Sequence, residues 1–500
     1  MMTHISGCPD LHLLNNNKAG DRGGMFRRAT TAPTISKVAA TATMSTTVKP
    51  ESLSSDGSYL YNSLKVGPMK RLYKYYTPQS INLAGGVPME KCFPFKSLLV
   101  TVADDLAATT TATTAGAAAA ALDVGSAEDT FTLLKEDKTL SLNYSRGDGL
   151  PELKEWIQSH TTSLHKKNAS SAAFSTCITI GSTDAFAKIL MLLKGDTVLF
   201  DEFAYGTALA TAQVLGKNVI GVKMDAQGMI PESLRECVLK ARVRGLEIAC
   251  VYTIPVAHNP TGVSMSRGRK QALYEACRDL DLYLVEDDAY YYLSYGEGSV
   301  PGLRGLPDSL LSLDTDGRVI RLDSLSKFVA PGARIGWISA HPDFCAKYQL
   351  LQEITSQFPS SISQSIFLGL MKKWGEGGLD RHLKSVQSHY KQQRDILCDA
   401  IASHEYLKNH CEYVVPDGGM FIWLKLKHIS LPSEEIFKLL AAQGVITVPG
   451  GDFFVSSRIN ADAAEVADPP IVRLTYAAVT REQIVEGVSR LAKGIEAARK

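Results

Sequence analysis

No Cys-x-x-Cys pair and no zinc-type spacing occurs among the nine cysteines of this 500-residue chain, at positions 8, 92, 177, 237, 250, 277, 345, 398 and 411. Scattered single thiols argue against a cysteine metal cage or a disulfide framework and for a reducing compartment; no metal is expected. An apolar run of roughly 18 residues, the length that spans a bilayer, is also missing, because charges interrupt each stretch at helical or strand intervals. Membrane insertion is therefore not expected. Nor is there an excess of one charge sign, since 53 Lys plus Arg stand against 52 Asp plus Glu. Without a basic field, nucleic acid is not an expected partner. What the chain does have is 45% hydrophobic residues over 500 positions, enough for more than one core, so two domains are expected.

Acids are nearly absent from the first fifty residues, where Asp10 and Asp21 stand against Lys18, Arg22, Arg27, Arg28, Lys37 and Lys49. Residues 1–50 read either as a mitochondrial presequence or as an untargeted disordered leader, leaving cytoplasm and mitochondrion both open. A second compositional break, Ala107-Ala108-Thr109-Thr110-Thr111 and on through five alanines to Ala121, marks residues 101–130 as a surface insertion with no assignable chemistry. From Pro151 onward, amphipathic helices alternate with apolar strands, as in Glu152 to His165, Thr176 to Ile180 and Thr197 to Phe200. Such alternation gives an α/β domain, a mostly parallel sheet covered by helices, here over residues 145–360. After Lys373-Trp374-Gly375-Glu376-Gly377-Gly378 the pattern shifts to a long helix through Tyr390, then to strands near Val414 and from Phe421 to Leu424. Residues 370–500, completed by 75–100, are expected to form a smaller α+β domain.

The segment Asp323-Ser324-Leu325-Ser326-Lys327-Phe328-Val329-Ala330-Pro331-Gly332-Ala333-Arg334 carries the chemistry. Arg318 to Leu322 reads as a strand entering it and Ile335 to Ile338 as a strand leaving it. Two hydroxyls, an amine and a guanidinium this close together suit an aldehyde cofactor held by a Schiff base on Lys327, with its phosphate gripped by Ser324, Ser326 and Arg334. The cofactor implied is pyridoxal 5'-phosphate. A solvated loop, or the Ser-x-x-Lys spacing of serine hydrolases, would share the tetrapeptide alone.

Three further segments supply what a pyridine ring needs. Leu282-Tyr283-Leu284-Val285-Glu286-Asp287-Asp288-Ala289-Tyr290 brings acids and a phenol to a strand's C-terminal end, where open α/β sheets bind ligands. Asp287 suits the ring nitrogen and Tyr290 the ring oxygen, with Glu286 and Asp288 read as structural; helix capping or a metal site are the other readings of such a cluster. In Tyr252-Thr253-Ile254-Pro255-Val256-Ala257-His258-Asn259-Pro260-Thr261-Gly262 the turn fixes Asn259, whose amide suits the ring oxygen, while an ordinary Asn-Pro turn is the alternative. His258 reads as a loop histidine. Ile178-Thr179-Ile180-Gly181-Ser182-Thr183 builds a helix N-terminus suited to phosphate, or simply a cap. Tyr205, after Val198 to Asp201, suits either the ring face or core packing.

With these residues in view, the chain resembles the fold-type I, class I aminotransferases over roughly residues 75 to 500, and within them the fungal aromatic amino-acid aminotransferases and the kynurenine/2-aminoadipate aminotransferases. Further support lies in Ile81-Asn82-Leu83-Ala84-Gly85-Gly86-Val87-Pro88, Asn143-Tyr144, Gly418-Gly419-Met420-Phe421-Ile422-Trp423, Val448-Pro449-Gly450 and Val472-Arg473-Leu474-Thr475-Tyr476-Ala477. Ala289 and Thr183 depart from the kynurenine branch, which carries proline and glutamine there.

The resemblance implies Lys327 as cofactor anchor and proton shuttle, Asp287 at the ring nitrogen, and Asn259 and Tyr290 at the ring oxygen. It implies Ser182, Thr183, Ser324, Ser326 and Arg334 around the phosphate, and Tyr205 against the ring. Tyr144 would reach the neighbouring subunit's phosphate in a homodimer with shared sites. Arg473 would take the substrate's α-carboxylate, and Gly86 would help seat it. The implied reaction passes the amino group of an aromatic amino acid, 2-aminoadipate or kynurenine to an oxo acid such as 2-oxoglutarate. Rival readings are a lyase or decarboxylase on the same scaffold, which Arg473 argues against, and a pyridoxal-binding transcriptional regulator. The first seventy residues lack the helical periodicity of a DNA-binding module.

Overall fold

The computed structural model describes residues 64–65, 93–95, 97–102, 130–133, 141–165, 172–296, 300–455 and 469–499. The expected leader, the body of the insertion and Gly86 lie outside the described residues.

Seven strands form the main sheet: β1 (Ser175–Thr179), β2 (Thr197–Asp201), β3 (Asn218–Val222), β4 (Ile248–Thr253), β5 (Leu284–Asp287), β6 (Val319–Ser324) and β7 (Gly336–Ala340). Their spatial order is β1-β7-β6-β5-β4-β2-β3. The pairs β6/β5, β5/β4, β4/β2 and β2/β3 are parallel, and β7 runs antiparallel to both neighbours. Runs such as Val198-Leu199-Phe200 are apolar at every position because both faces are covered. Alternation sorts them, with Val198, Phe200, Tyr252, Val285 and Ile320 entering one core and Leu199, Val251, Leu284 and Val319 the other. Connecting helices supply the covers: α1 (Pro151–His165), α2 (Ser182–Leu192), α3 (Gly206–Val214), α4 (Pro231–Val243), α5 (Arg267–Asp279) and α6 (Pro342–Thr355).

The chain leaves β2 toward the β3 edge and then returns past it to β4. This reversal of strand order opens a crevice at the strands' C-terminal ends. Asp201, Thr253, Asp287 and Ser324 are the last residues of β2, β4, β5 and β6, so the loops they feed converge there.

A second sheet is wholly antiparallel, with β8 (Cys411–Glu412), β9 (Phe421–Leu426), β10 (Val448–Pro449) and β11 (Ile471–Thr475) in the order β8-β9-β11-β10. It has its own core, in which Ile422, Leu424 and Val472 meet Ile436 and Leu440 of α8 (Ser433–Ala442) and Leu491 and Ile495 of α9 (Arg481–Ala498). A capping box, Thr480 with Gln483, starts α9.

Three details differ from the sequence expectation. The span Ser361–Ser403, here α7, holds two helical segments: the one after the glycine-rich stretch is as expected, while a further one precedes it, and a kink at Gly375 (φ 57, ψ −172) separates them. Glycine supplies that non-helical conformation, which interrupts the helix there. Val414, read as strand, lies beyond β8 and is exposed. Thr101 and Thr130, at the two ends of the expected insertion, pair with each other in a two-stranded antiparallel sheet, Leu98–Thr101 with Thr130–Leu133.

Candidate active site

Lys327 closes a single 3-10 turn, Leu325–Lys327, that follows β6 directly. Ser324 shapes the turn, because its Oγ accepts from the Ser326 N–H at 3.2 Å and its hydroxyl donates to Ser326 Oγ at 3.0 Å. The Lys327 side chain is half-buried, with Nζ 5.6 Å from the centre of the Tyr290 ring. Burial pushes its pKa below the usual lysine range; Asp287 opposes the shift, while the Arg473 and Arg334 guanidiniums add to it. The shift lowers the cost of reaching the neutral form that a nucleophile and base requires.

An anion cradle lies beside it. β1 ends at Thr179, Gly181 turns with φ 94, and α2 starts at Ser182 with no side-chain cap. Capping therefore does not account for the Ser182 and Thr183 hydroxyls. Ser182 Oγ is buried without a hydrogen-bond partner among the described residues, and Thr183 is exposed. Arg334 is in the left-handed conformation (φ 51) and donates from Nη2 to the Ile180 carbonyl at 2.8 Å; its Nη1 lies 3.4 Å from Ser326 Oγ. A Cβ at residue 181 would stand 2.5 Å from Arg334 Nη2, so the glycine admits the guanidinium. Free N–H groups at the start of α2, a guanidinium and hydroxyls of three serines are the kinds of donor an anion needs.

Asp287 ends β5 and is buried. Its Oδ2 accepts from the Tyr252 hydroxyl at 2.6 Å, while Oδ1 is buried with no partner among the described residues. Burial pushes the carboxyl up to about 6 and Asp323 adds to the rise, against the pull of the Tyr252 hydroxyl and, more weakly, of the nearby Ala289 N–H and Ser182 hydroxyl. The flanking acids serve the scaffold. Glu286 accepts from the Leu310 and Leu311 N–H groups, and Glu286, Asp288 and Asp323 all pair with the fully buried Arg321 of β6.

Asn259 follows β4 and joins the two sheets. Its Nδ2 lies 3.4 Å from the Tyr290 hydroxyl, and its Oδ1 accepts from Arg473 Nη1 of β11 at 2.7 Å. The Arg473 guanidinium carbon sits 4.1 Å from the centre of the Phe421 ring and 4.8 Å from that of Phe453. Trp423 and Phe203 extend this aromatic wall, with ring centres 5.2 Å apart. Tyr205 is half-buried as the residue that caps α3.

His258 is buried, with Nε2 3.3 Å from Asp201 Oδ2 and Nδ1 2.9 Å from the Thr261 hydroxyl, which fits the loop role read from sequence. Tyr144 stands apart: it is 64% exposed, and its ring meets Phe358 edge-on at 6.0 Å. Sequence reasoning gave no role to Tyr252, Phe421 or Phe453. Each lies in an apolar strand or turn and reads as core, and their placement follows only from the pairing of distant strands.

Comparisons with known proteins show the family. Residues 107–491 match the family model described as aminotransferase class I and II. The chain is 32% identical over 429 residues to the mitochondrial kynurenine/alpha-aminoadipate aminotransferase of Rattus norvegicus, covering 83% of this chain and 92% of that protein. It is 30% identical over 482 residues to an aromatic amino acid aminotransferase of Schizosaccharomyces pombe, covering 89% and 98%. Among solved structures, aminotransferase Aro8 from Candida albicans aligns with a TM-score of 0.77 at 29% identity, covering 89% of this chain and 98% of that one.

Proposed function

Because the chain belongs to the class I and II aminotransferases, working with pyridoxal 5'-phosphate, we propose that its donors are aromatic amino acids, with kynurenine and 2-aminoadipate as further candidates, and that 2-oxoglutarate is its acceptor. The observation that carries the reading is the convergence of Lys327, Asp287 and Arg473 on one crevice, with Oδ1 of Asp287 left without a partner.

The side chains fit the cofactor. Asp287 Oδ1 is an acceptor suited to a protonated ring nitrogen, and Asn259 and Tyr290 offer donors to a ring oxygen. Tyr205 would flank the ring. Ser182, Thr183, Ser324, Ser326 and Arg334 would hold the phosphate, and Lys327 would anchor the aldehyde carbon. When bound, the cofactor supplies an electron sink for the charge left at Cα.

Arg473 holds the α-carboxylate and so orients the Cα–H bond. Lys327 Nζ, when not engaged with the cofactor, would be the base that takes the proton from Cα of the amino acid, and with an oxo acid it would return a proton to that carbon. Holding the carboxylate as a stable anion disfavours its loss, which supports transfer over decarboxylation. The ring wall of Phe421, Phe453 and Trp423 supports an aromatic donor.

We further read residues 145–360 as the cofactor-binding unit, with 370–500 and 75–100 as the smaller unit. Tyr144, exposed and remote, supports a homodimer in which it serves the partner's phosphate. The mitochondrial name of the rat relative supports the mitochondrion as a candidate compartment, with the cytoplasm as the alternative.

A donor panel tests the proposal. Phenylalanine, tyrosine, tryptophan, kynurenine and 2-aminoadipate, each with 2-oxoglutarate, should yield the matching oxo acid, fastest for the aromatic donors. Carbon dioxide without oxo acid would favour the decarboxylase, and loss of the visible cofactor band without keto product would favour the regulator.

Cofactor affinity should also depend on pH. The folded carboxyl of Asp287 is raised from 3.8 to about 6. In the apoprotein its contribution to stability is therefore full below about 3.9 and is lost as pH rises through about 6. Pairing with a ring N–H requires the ionised form, so below pH 6 binding must expel a proton and affinity should fall up to tenfold per unit. Titration of apoprotein between pH 5 and 8 checks this, and Asp287→Asn should lack that limb.

A further inference from the structure

Tyr252 lies on β4 opposite Val285 of β5, and Asp287 is two residues further along β5 on the same face. Its ring is 1% exposed and is held between Phe186 of α2, at 4.6 Å, and Phe200 of β2, at 5.1 Å. The hydroxyl therefore has little freedom, and it meets Asp287 Oδ2 at 2.6 Å. No cation forms an ion pair with Asp287 among the described residues, and of the donors acting on it, the Tyr252 hydroxyl, the Ala289 N–H and the Ser182 hydroxyl, the phenol favours the ionised form most.

We propose that Tyr252 is a positioning residue that holds Oδ2 of Asp287 and thereby leaves Oδ1 as the acceptor for the cofactor's ring nitrogen. The inference rests on the reading that Asp287 is the acid facing that ring. An untethered carboxylate can rotate and present either oxygen; a charge-assisted O–H···O⁻ bond of this length removes that freedom. The bond also favours the ionised form against the burial that opposes it. Burial pushes the Tyr252 hydroxyl far above the usual phenol range, so it stays a donor and does not compete for the negative charge. The other charged or titratable groups around the pair are Asp323, Lys327 and Tyr290 beside Asp287, and Tyr205 and Asp201 beside Tyr252.

The test uses the full chain with Tyr252→Phe, Asp287→Asn and the double variant, scored by pyridoxal phosphate affinity of the apoprotein and by kcat and KM. A hydrogen bond to a charged group corresponds to about 10- to 100-fold in an equilibrium. Tyr252→Phe should therefore weaken cofactor binding or kcat by about that factor, while KM for the amino acid moves less than about threefold. The double variant should lose no more than Asp287→Asn alone, because the phenol acts through the carboxylate.

The pH limb gives a second readout. It should shift to higher pH in Tyr252→Phe and to lower pH in Tyr252→3-fluorotyrosine, whose hydroxyl is the stronger donor. A merely structural ring would not move it in opposite directions. Wild-type affinity and kcat in Tyr252→Phe while Asp287→Asn collapses would overturn the proposal, as would additive losses in the double variant. Wild-type behaviour of Asp287→Asn itself would overturn the reading of Asp287 together with the inference built on it.

Discussion

Lys327→Ala is expected to lower turnover by at least about 10²- to 10⁴-fold, the range for loss of a positioned proton-transfer group. The alanine variant should nevertheless retain cofactor, because Ser182, Ser324, Ser326, Arg334 and the start of α2 are untouched by the change. No other amine of the described residues replaces it: among lysines near the sheet, Lys188 is paired with Asp184 and Lys270 with the Asp308 carbonyl. Rapid mixing of cofactor-loaded variant with an amino acid should therefore show binding without formation of oxo acid. Exchange at the wild-type rate would remove Lys327 from the proton path.

Arg473→Ala is expected to reduce kcat/KM by about 10²- to 10³-fold, carried mainly by KM, because truncating one partner of a desolvated charge pair costs about 2–5 kcal/mol. The guanidinium is half-buried against Phe421 and Phe453 and already lowered in pKa by desolvation. It therefore has little hydration to lose when a carboxylate arrives, and that preorganisation is what the variant forfeits. Donor and acceptor both carry the α-carboxylate, so KM for amino acid and for oxo acid should rise by similar factors. An unchanged KM for both would refute the assignment.

Much of this site was legible in the chain because strand ends leave local signatures. Lys327 after Val319–Ser324 and Asp287 at the end of Leu284–Asp287 are placed by an apolar run stopping at polar residues, and the structure brings them to one crevice. Contacts set by distant strands left no such signature. Asn259 and Arg473 are 214 positions apart, and nothing near either residue encodes the other. Tyr252 sits inside Ala249-Cys250-Val251-Tyr252-Thr253 and reads as core until β5 is laid beside it. Arg321 had no role in the reading of Arg318 to Leu322 as a strand, yet it is fully buried and paired with three carboxylates. Gly375 does break the helix, but the helical turns before it, from Ser361, carry no start signal strong enough to be read from the chain.

One arginine and one amide tie the four-stranded sheet to the seven-stranded one. With Oδ1 of Asn259 engaged by Arg473, the amide cannot flip, and Nδ2 stays turned toward Tyr290. The tether joins the two walls: a guest carboxylate that displaced the guanidinium would be expected to shift Asn259 and, through it, the contact with Tyr290. A primary amine without a carboxylate would leave that tether undisturbed, and the enzyme would thereby sense the acid group twice.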